Sequence, residues 1–352
     1  MLFNAIPVTS SKLGQSIGRI AAFVAGFFAC FAVFASDLAI VKVGILNSLS
    51  EVPSLLAYER GYFREQGIDV QFERFQNTAD MVVPLSSGQI DVASGAPTLG
   101  FLNASLRGLP FKLVADKGRN SKGHGFNALV VRKELVDNGT VKTIADLKGL
   151  SVASPSRNSP MEFQLDIAMH SVGLKLEDVK IEQLTFPNMV SAMDNGAVDA
   201  ALLIEPFVAN SSQRDIGVRL LGFDETSPDF QIAGVIYGPS FVEERPELAN
   251  KWMIGYIRGI RDYLSIVENN RFDEKTREAL GKHLAIFKNP AALEAVVFPG
   301  FDPNGHLHVQ TISDSIEWYA ERGLLSRKPN VDDLIDYRYI EKALETIGRQ
   351  GS

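Results

Sequence analysis

The sequence predicts a two-lobed α/β fold in which each lobe is a doubly wound sheet with helices on both faces, the lobes joined by a two-strand hinge. Three observations carry that prediction. The chain has 352 residues, and at roughly 100 to 200 residues per domain it holds two cores. Short β-rich runs alternate with helix-like stretches, a grammar that gives mostly parallel sheets covered on both faces. The alternation then restarts, and a six-residue motif recurs in the second block.

Taken in order, 39–46 reads as a strand, 53–60 as a helix, 70–75 as a strand, 79–87 as a helix, 91–94 as a strand, 98–107 as a helix and 111–115 as a strand. The second block repeats this with strands at 150–153, 179–184, 199–204 and 218–221 and helices at 160–172, 189–195 and 207–214. Between the blocks lies 127–132, and after the second lies 232–237; both are strand-like and free of Pro. They are read as paired strands crossing out of the first lobe and back. Beyond about residue 240 the pattern is helical, notably 246–267 and 308–322, and is expected to complete or buttress the first lobe. The boundaries that follow are 1–36 for an export signal, 37–128 for the first part of lobe 1, 129–233 for lobe 2, and 234–352 for the return to lobe 1 with the C-terminal helices.

The recurring motif is Gly88-Gln-Ile-Asp91-Val-Ala93, matched by Gly196-Ala-Val-Asp199-Ala-Ala201. In each a helix ends at Gly and a short buried strand follows, then runs into a proline, Ala96-Pro97 or Glu205-Pro206. Proline is favoured at the first helical position because its missing N–H would be unpaired there anyway. Both lobes therefore place a helix start at the carboxyl end of a strand, where open α/β sheets bind ligands.

Lys12 and Arg19 lead into an uncharged apolar run, 20–34, that ends Val33-Phe34-Ala35 before Ser36-Asp37. A basic start, an apolar middle and small residues at a cleavage point make a secretory signal, cut near Ala35, and the mature protein is expected to be periplasmic. As a helix the run spans about 22 Å, short of the roughly 30 Å hydrocarbon core. The chain carries 35 Lys and Arg against 42 Asp and Glu, a net charge of −7. Cleavage would remove two basic residues and no acidic one, giving −9. No basic face is available for phosphate backbones, so nucleic acid is not an expected partner. The single cysteine, Cys30, lies inside the signal, so the mature chain has no thiolate chemistry, disulfide or cysteine-ligated metal.

The candidate ligand loops at strand ends are Asn47-Ser48-Leu49-Ser50, Gly95-Ala96-Pro97-Thr98 and Asp116-Lys117-Gly118-Arg119 in the first lobe. The second lobe offers Ser154-Pro155-Ser156-Arg157-Asn158-Ser159 and Glu205-Pro206-Phe207. Hydroxyl- and amide-rich loops feeding helix starts favour an anion or a polar oxygen. Ser159-Pro-Met-Glu162 reads as a capping box, and Ser48, Ser50 and Thr98 serve equally as turn or cap residues. Arg157 can grip a carboxylate, sulfonate or phosphate bidentately, or stand solvated on its loop. Glu205 would repel a bare inorganic anion. It pairs with Arg157 or Lys117, or meets an ammonium or N–H donor on the ligand, or caps its helix facing solvent.

No catalytic constellation stands out. None of His124, His170, His283, His306 and His308 sits in an H-E-x-x-H motif, and no G-x-S-x-G occurs. His306-Leu-His308 reads as a turn leading into a helix rather than a metal pair. Gly123-His-Gly-Phe-Asn-Ala128 fits a dinucleotide pattern by letter but precedes a strand, so no cofactor is expected; His124 is read as a hinge-edge residue facing the cleft. The aromatic spacing from Trp252 to Tyr263 is read as core packing.

Pro53-Ser-Leu-Leu-Ala-Tyr-Glu-Arg-Gly-Tyr-Phe-Arg-Glu-Gln-Gly-Ile-Asp-Val70 resembles the opening helix and strand of nitrate/sulfonate/taurine-type ABC-transporter substrate-binding proteins. Leu85-Ser-Ser-Gly-Gln-Ile-Asp-Val92, Asn127-Ala-Leu-Val-Val-Arg-Lys133, Thr143-Ile-Ala-Asp-Leu-Lys-Gly149 and the stretch 193–206 with its Glu-Pro agree, so the resemblance covers roughly 40–265. It implies a type II periplasmic binding protein, a monomer and not an enzyme, that captures a small organic anion or zwitterion such as a sulfonate, taurine or carboxylate. Hinge closure would trap the ligand for delivery to an inner-membrane permease with its ATPase. It also implies a cleft lined by Asn47, Ser48, Gly95, Ala96, Pro97, Thr98, Ser154, Ser156 and Arg157 and closed by Glu205. The long loop 116–125, with Lys117 and His124, is not a family constant and is expected to set ligand choice. Many relatives have Trp before Glu-Pro where this chain has Ile204. Two alternatives are a membrane-tethered sensor and an enzyme similar to the thiamine-pyrimidine synthases, which use a cysteine-rich iron-binding motif that the mature chain lacks.

Overall fold

The computed structural model describes residues 1–5, 38–269 and 272–351, and Leu38–Ser352 forms one compact unit. The export-signal readings on Lys12, Arg19, Cys30, the run 20–34 and the Ala35 cleavage point lie outside the described residues. Among the described residues no helix is long and apolar enough to cross a membrane.

Among the described residues, ten strands form two five-stranded sheets of the same wiring. In the first, β1 (Ala39–Ile45) pairs in parallel with β2 (Ile68–Arg74) and β3 (Val92–Gly95), and β10 (Gly234–Tyr237) runs antiparallel between β3 and β4 (Lys112–Asp116). In the second, β6 (Ser151–Ser154) pairs in parallel with β7 (Lys180–Gln183) and β8 (Ala200–Ile204), and β5 (Asn127–Arg132) runs antiparallel between β8 and β9 (Gly217–Gly222). The sequences of β3, β5 and β8 are apolar nearly throughout because these strands are buried on both faces. The helices that matter for the site are α1 (Val52–Glu59), α2 (Leu99–Leu106), α3 (Pro160–His170), α4 (Phe186–Asp194) and α5 (Phe207–Gln213). The C-terminal part adds α6 (Pro246–Glu268), α7 (Pro290–Glu294) and α8 (Val309–Glu321).

The recurring motif has a structural counterpart in both lobes. Asp91 accepts the backbone N–H of Lys42 at 2.9 Å, and Asp199 accepts that of Ser151 at 3.0 Å, so each aspartate ties the start of its own strand to the neighbouring one. Each also pairs with an arginine, Asp91 with Arg245 and Asp199 with Arg132.

Two expectations need correction. The segments read as strands paired with each other do not pair: β5 enters the second sheet and β10 the first, each between two partners of its own sheet. That arrangement pairs the backbone of each on both sides, which a two-stranded crossing ribbon would leave half open. The linking segments 117–126 and 223–233 meet instead at a bridge between Arg119 and Gln231. The helical return also does more than buttress the first lobe. While α6 packs on α1, α8 lies on the second lobe, where Trp318 Nε1 donates to Asp166 of α3 at 2.7 Å and its ring stacks on Phe163. The apolar stripe of α8, with Ile312, Ile316, Trp318 and Tyr319 buried, is what requires that partner.

The aromatic residues of α6 are core, as their spacing suggested: Trp252, Tyr256 and Tyr263 are buried, and Trp252 stacks on Tyr256 and Phe63. On the same helix Gly259 lies against α1, where a Cβ would stand 2.2 Å from the Pro53 carbonyl oxygen and 2.9 Å from the Ala57 Cβ. In an exposed helix Gly→Ala stabilises by about 1 kcal/mol. Here Gly259→Ala reverses that sign, lowering unfolding stability by about 1 to 3 kcal/mol as the helices are forced apart. Denaturant unfolding of the variant checks this.

Candidate functional site

The carboxyl ends of both sheets face a cleft whose space, open mouth included, is about 580 Å³. Its first wall is built by the turn after β1. There Glu51 is fully buried; Oε1 accepts the Leu46 N–H at 2.9 Å and Oε2 accepts the Ser94 hydroxyl at 2.8 Å. Lys117, at the exit of β4 and equally buried, places Nζ 2.9 Å from Glu51 Oε1 and donates to Ser50 Oγ at 2.7 Å. Ser50 Oγ lies 3.0 Å from Ser48 Oγ, so one chain of polar contacts joins three strand ends of the first lobe.

The second wall follows β3. A Cβ on Gly95 would stand 2.5 Å from the Thr78 side chain, whose hydroxyl accepts the Ala96 N–H at 3.2 Å; only glycine fits there. Thr98 is the N-cap residue of α2 but makes no side-chain cap bond. Its Oγ1 is buried in the cavity wall without a protein partner. Across the cleft, Ser159 caps α3 by accepting the Glu162 N–H at 3.2 Å, and Ser154 Oγ donates to the Ser156 carbonyl at 2.9 Å. Apolar side chains fill in the rest, with Leu46, Phe126, Met161, Phe186, Ile204 and Ile232 on the wall.

Of the residues singled out from sequence, Ser48, Ser50, Gly95, Ala96, Thr98, Lys117, Pro155, Ser156 and Ser159 line this cavity. The others stand elsewhere. Asn47 faces an adjoining groove beside Pro206, Phe207 and Asn210, and Pro97 faces away with Phe101 and Leu113. Ser154 sits behind the wall, fully buried. Arg157 donates to the Ile181 carbonyl at 3.1 Å, on the outer strand side. His124 places Nδ1 3.1 Å from the Phe298 carbonyl in the hinge region. His306 lies between Asp302 and Glu341, and His308 beside Thr311.

Glu205 takes neither an ion partner nor a solvated capping role. It is 1 % exposed, accepts the N–H of Ala209 in the first turn of α5 at 3.1 Å and that of Val297, from the return segment, at 3.2 Å. Its carbonyl accepts the Leu49 N–H at 3.2 Å, so this one residue joins the second lobe to two segments of the first. Burial pushes its carboxyl up to about 7, opposed by the two N–H donors and by Arg219.

Residues on the wall that sequence reasoning passed over include Asn77 and Thr78, after β2, and Phe186, after β7. The rule applied to the other strand ends would have found all three. Glu51 had no such signal, because a charged residue before a helix ordinarily marks a solvated first turn.

A family model described as NMT1/THI5 like matches residues 50–265. A Bacillus subtilis protein named "Putative aliphatic sulfonates-binding protein" is 25% identical over 321 residues, covering 87% of this chain and 88% of that one. The riboflavin-binding protein RibY of Chloroflexus aurantiacus is 24% identical over 233 residues, 64% of this chain and 62% of that one. Among solved structures, the periplasmic nitrate-binding protein NrtA of Synechocystis PCC 6803 superposes with a TM-score of 0.71 at 16% identity, covering 89% of this chain and 90% of that one. The fold is thereby that of a type II periplasmic binding protein.

The environment of Glu205 sets a pH dependence. An acid whose native value is raised from 4.5 to about 7 makes the native state bind more protons across that window. Its contribution is therefore fullest below about 4.5 and is lost as pH rises through 7. The loss amounts to roughly 3 kcal/mol at about 1.4 kcal/mol per unit. Comparing denaturant unfolding of the protein and of Glu205→Gln between pH 4.5 and 7 should show a fall in the first that is steeper by this amount, the slope left in the variant coming from groups such as Asp116, which burial pushes up to about 6.

Proposed function

The chain belongs to the NMT1/THI5-like family, and from that premise we propose that it is the exported solute-binding component of an ABC import system, capturing a small organic solute between its lobes and delivering it to a membrane permease. One observation carries the reading: a single cavity is lined by strand-end loops of both sheets, Ser48, Gly95 and Thr98 from one and Ser156 and Ile204 from the other. A solute there touches both lobes only when they approach. Closure is then driven by the extra contacts it makes in the closed state, and by nothing else.

The hinge suits that motion. Two crossing segments join the lobes, and Ile232 and Ala233 of the second one lie on the cavity wall, so the pivot itself senses the solute. Asp116, just before the first crossing, is fully buried and accepts from Gln231 Nε2 at 2.7 Å and from the Asp302 N–H at 2.8 Å, clasping the two crossings to the return segment. The second lobe moves with α8 attached, since Trp318 is bonded to Asp166. The wall carries hydroxyls, amides, a paired lysine and apolar side chains, a set suited to recognition rather than to proton transfer or nucleophilic attack.

A thermal-shift screen of protein denatured and refolded to strip carried solute tests the reading. A specific solute at 100 times its dissociation constant adds about 2.7 kcal/mol; no shift from sulfonates, taurine, aromatic carboxylates, pyrimidines or flavins would count against it. Thr98→Val then probes the wall. Because the hydroxyl has no protein partner, the unliganded variant keeps its stability within about 0.5 kcal/mol, while affinity for the solute found falls about tenfold. Equal affinity in calorimetry would remove Thr98 from the site.

A further inference from the structure

The charge balance of the cleft bears on which solute it takes, an inference that rests on the capture reading above. Among the described residues on the cavity wall, Lys117 is the one that carries a charge. That charge is already matched. Glu51 lies 2.9 Å from it, the two side chains are 1 % and 0 % exposed, and Glu51 is held in place by the Leu46 N–H and the Ser94 hydroxyl. Lys117 is held in turn by Ser50. A buried pair fixed from both ends presents a dipole to the cavity, not a net positive charge.

No second cation makes up the difference. Arg157 spends its guanidinium on the Ile181 carbonyl outside the wall. Arg219, the cation nearest Glu205, donates to the Gly125 carbonyl and pairs with Asp224. An anion closing into this cleft would lose its water and meet hydroxyls, apolar side chains and the first turns of α2 and α3 behind Thr98 and Ser159, whose dipoles each amount to about half a charge, but no unmatched charged side chain, which is the unfavourable case for a buried ion. An uncharged solute meets no such penalty. Its apolar body fits Phe126, Met161 and Phe186, and its polar end fits Ser48 and Thr98, whose hydroxyl has no protein partner.

We propose that the cleft selects an uncharged solute, and that Glu51 is the specificity-determining residue that rejects anions by cancelling Lys117. Glu51 acts through Lys117 and is a positioning residue, not a contact. Removing its negative charge while keeping its shape should turn the cleft toward anions.

The test is calorimetric titration with two matched pairs, benzamide against benzoate and benzenesulfonamide against benzenesulfonate, on the protein and on Glu51→Gln. The protein should bind the neutral member of a pair at least tenfold more tightly, and Glu51→Gln should shift that ratio about thirtyfold toward the acid, estimated from the strength of charged hydrogen bonds. The double variant Glu51→Gln/Lys117→Met, which leaves no buried charge unpaired, should fold and keep the neutral preference, so poor folding of the single variant does not decide the matter. Tighter binding of both acids by the unaltered protein overturns the proposal and leaves solute capture standing. An unchanged ratio in a folded Glu51→Gln also overturns it. Binding of neither pair by any of the three folded proteins counts against the capture reading, and the proposal falls with it.

Discussion

The contact on which the rest of the site depends is the buried pair between Glu51 and Lys117. It joins residues 66 positions apart in the chain, the turn after β1 and the exit of β4. Through Ser94 it reaches the end of β3 as well. Three strand ends are thus held in register by one carboxylate and one ammonium, and the hydroxyls of Ser48 and Ser50 take their places from that frame. Replacing such a pair by apolar residues is often neutral for stability, whereas removing one member is costly, so the pair is better explained by what it fixes than by what it adds.

The lobes are joined by a second kind of contact, made by backbone groups. Glu205 accepts N–H groups from α5 and from the return segment, and its carbonyl accepts one from the first loop. The Ala209 bond lies within the second lobe, whereas the Val297 and Leu49 bonds cross between lobes, and under the proposed hinge motion those two would be exchanged for water when the cleft opens. The raised carboxyl of Glu205 ties that exchange to proton binding. The return segment matters for the same reason: Val297 and α8 reach the second lobe from a part of the chain that also packs on the first.

Much of the architecture was legible in the sequence because it rests on local patterns. The apolar runs of β3, β5 and β8 and the paired Gly-x-x-Asp motifs each state their own secondary structure, and Asp91 and Asp199 hold equivalent places. Pairing across distance was not legible. The tie between Glu51 and Lys117, the docking of Trp318 on Asp166 and the separate sheets of β5 and β10 depend on residues far apart in the chain, and no local pattern announces them. The site divides in the same way. Strand-end loops were the right places to look, but Arg157 and Asn47 sit on such loops and point elsewhere, because loop position does not fix side-chain direction.

The central claim is that a solute in this cleft holds the lobes together. The most direct measurement is the interlobe distance by pulsed electron spin resonance, with labels at Ser87→Cys and Asn138→Cys, both exposed and on opposite lobes, in a Cys30→Ser background. Loaded with the solute it carries, the protein should give one narrow, short distance. Stripped by unfolding and refolding, it should give a broader distribution at longer distance. The same distribution before and after stripping would contradict the account.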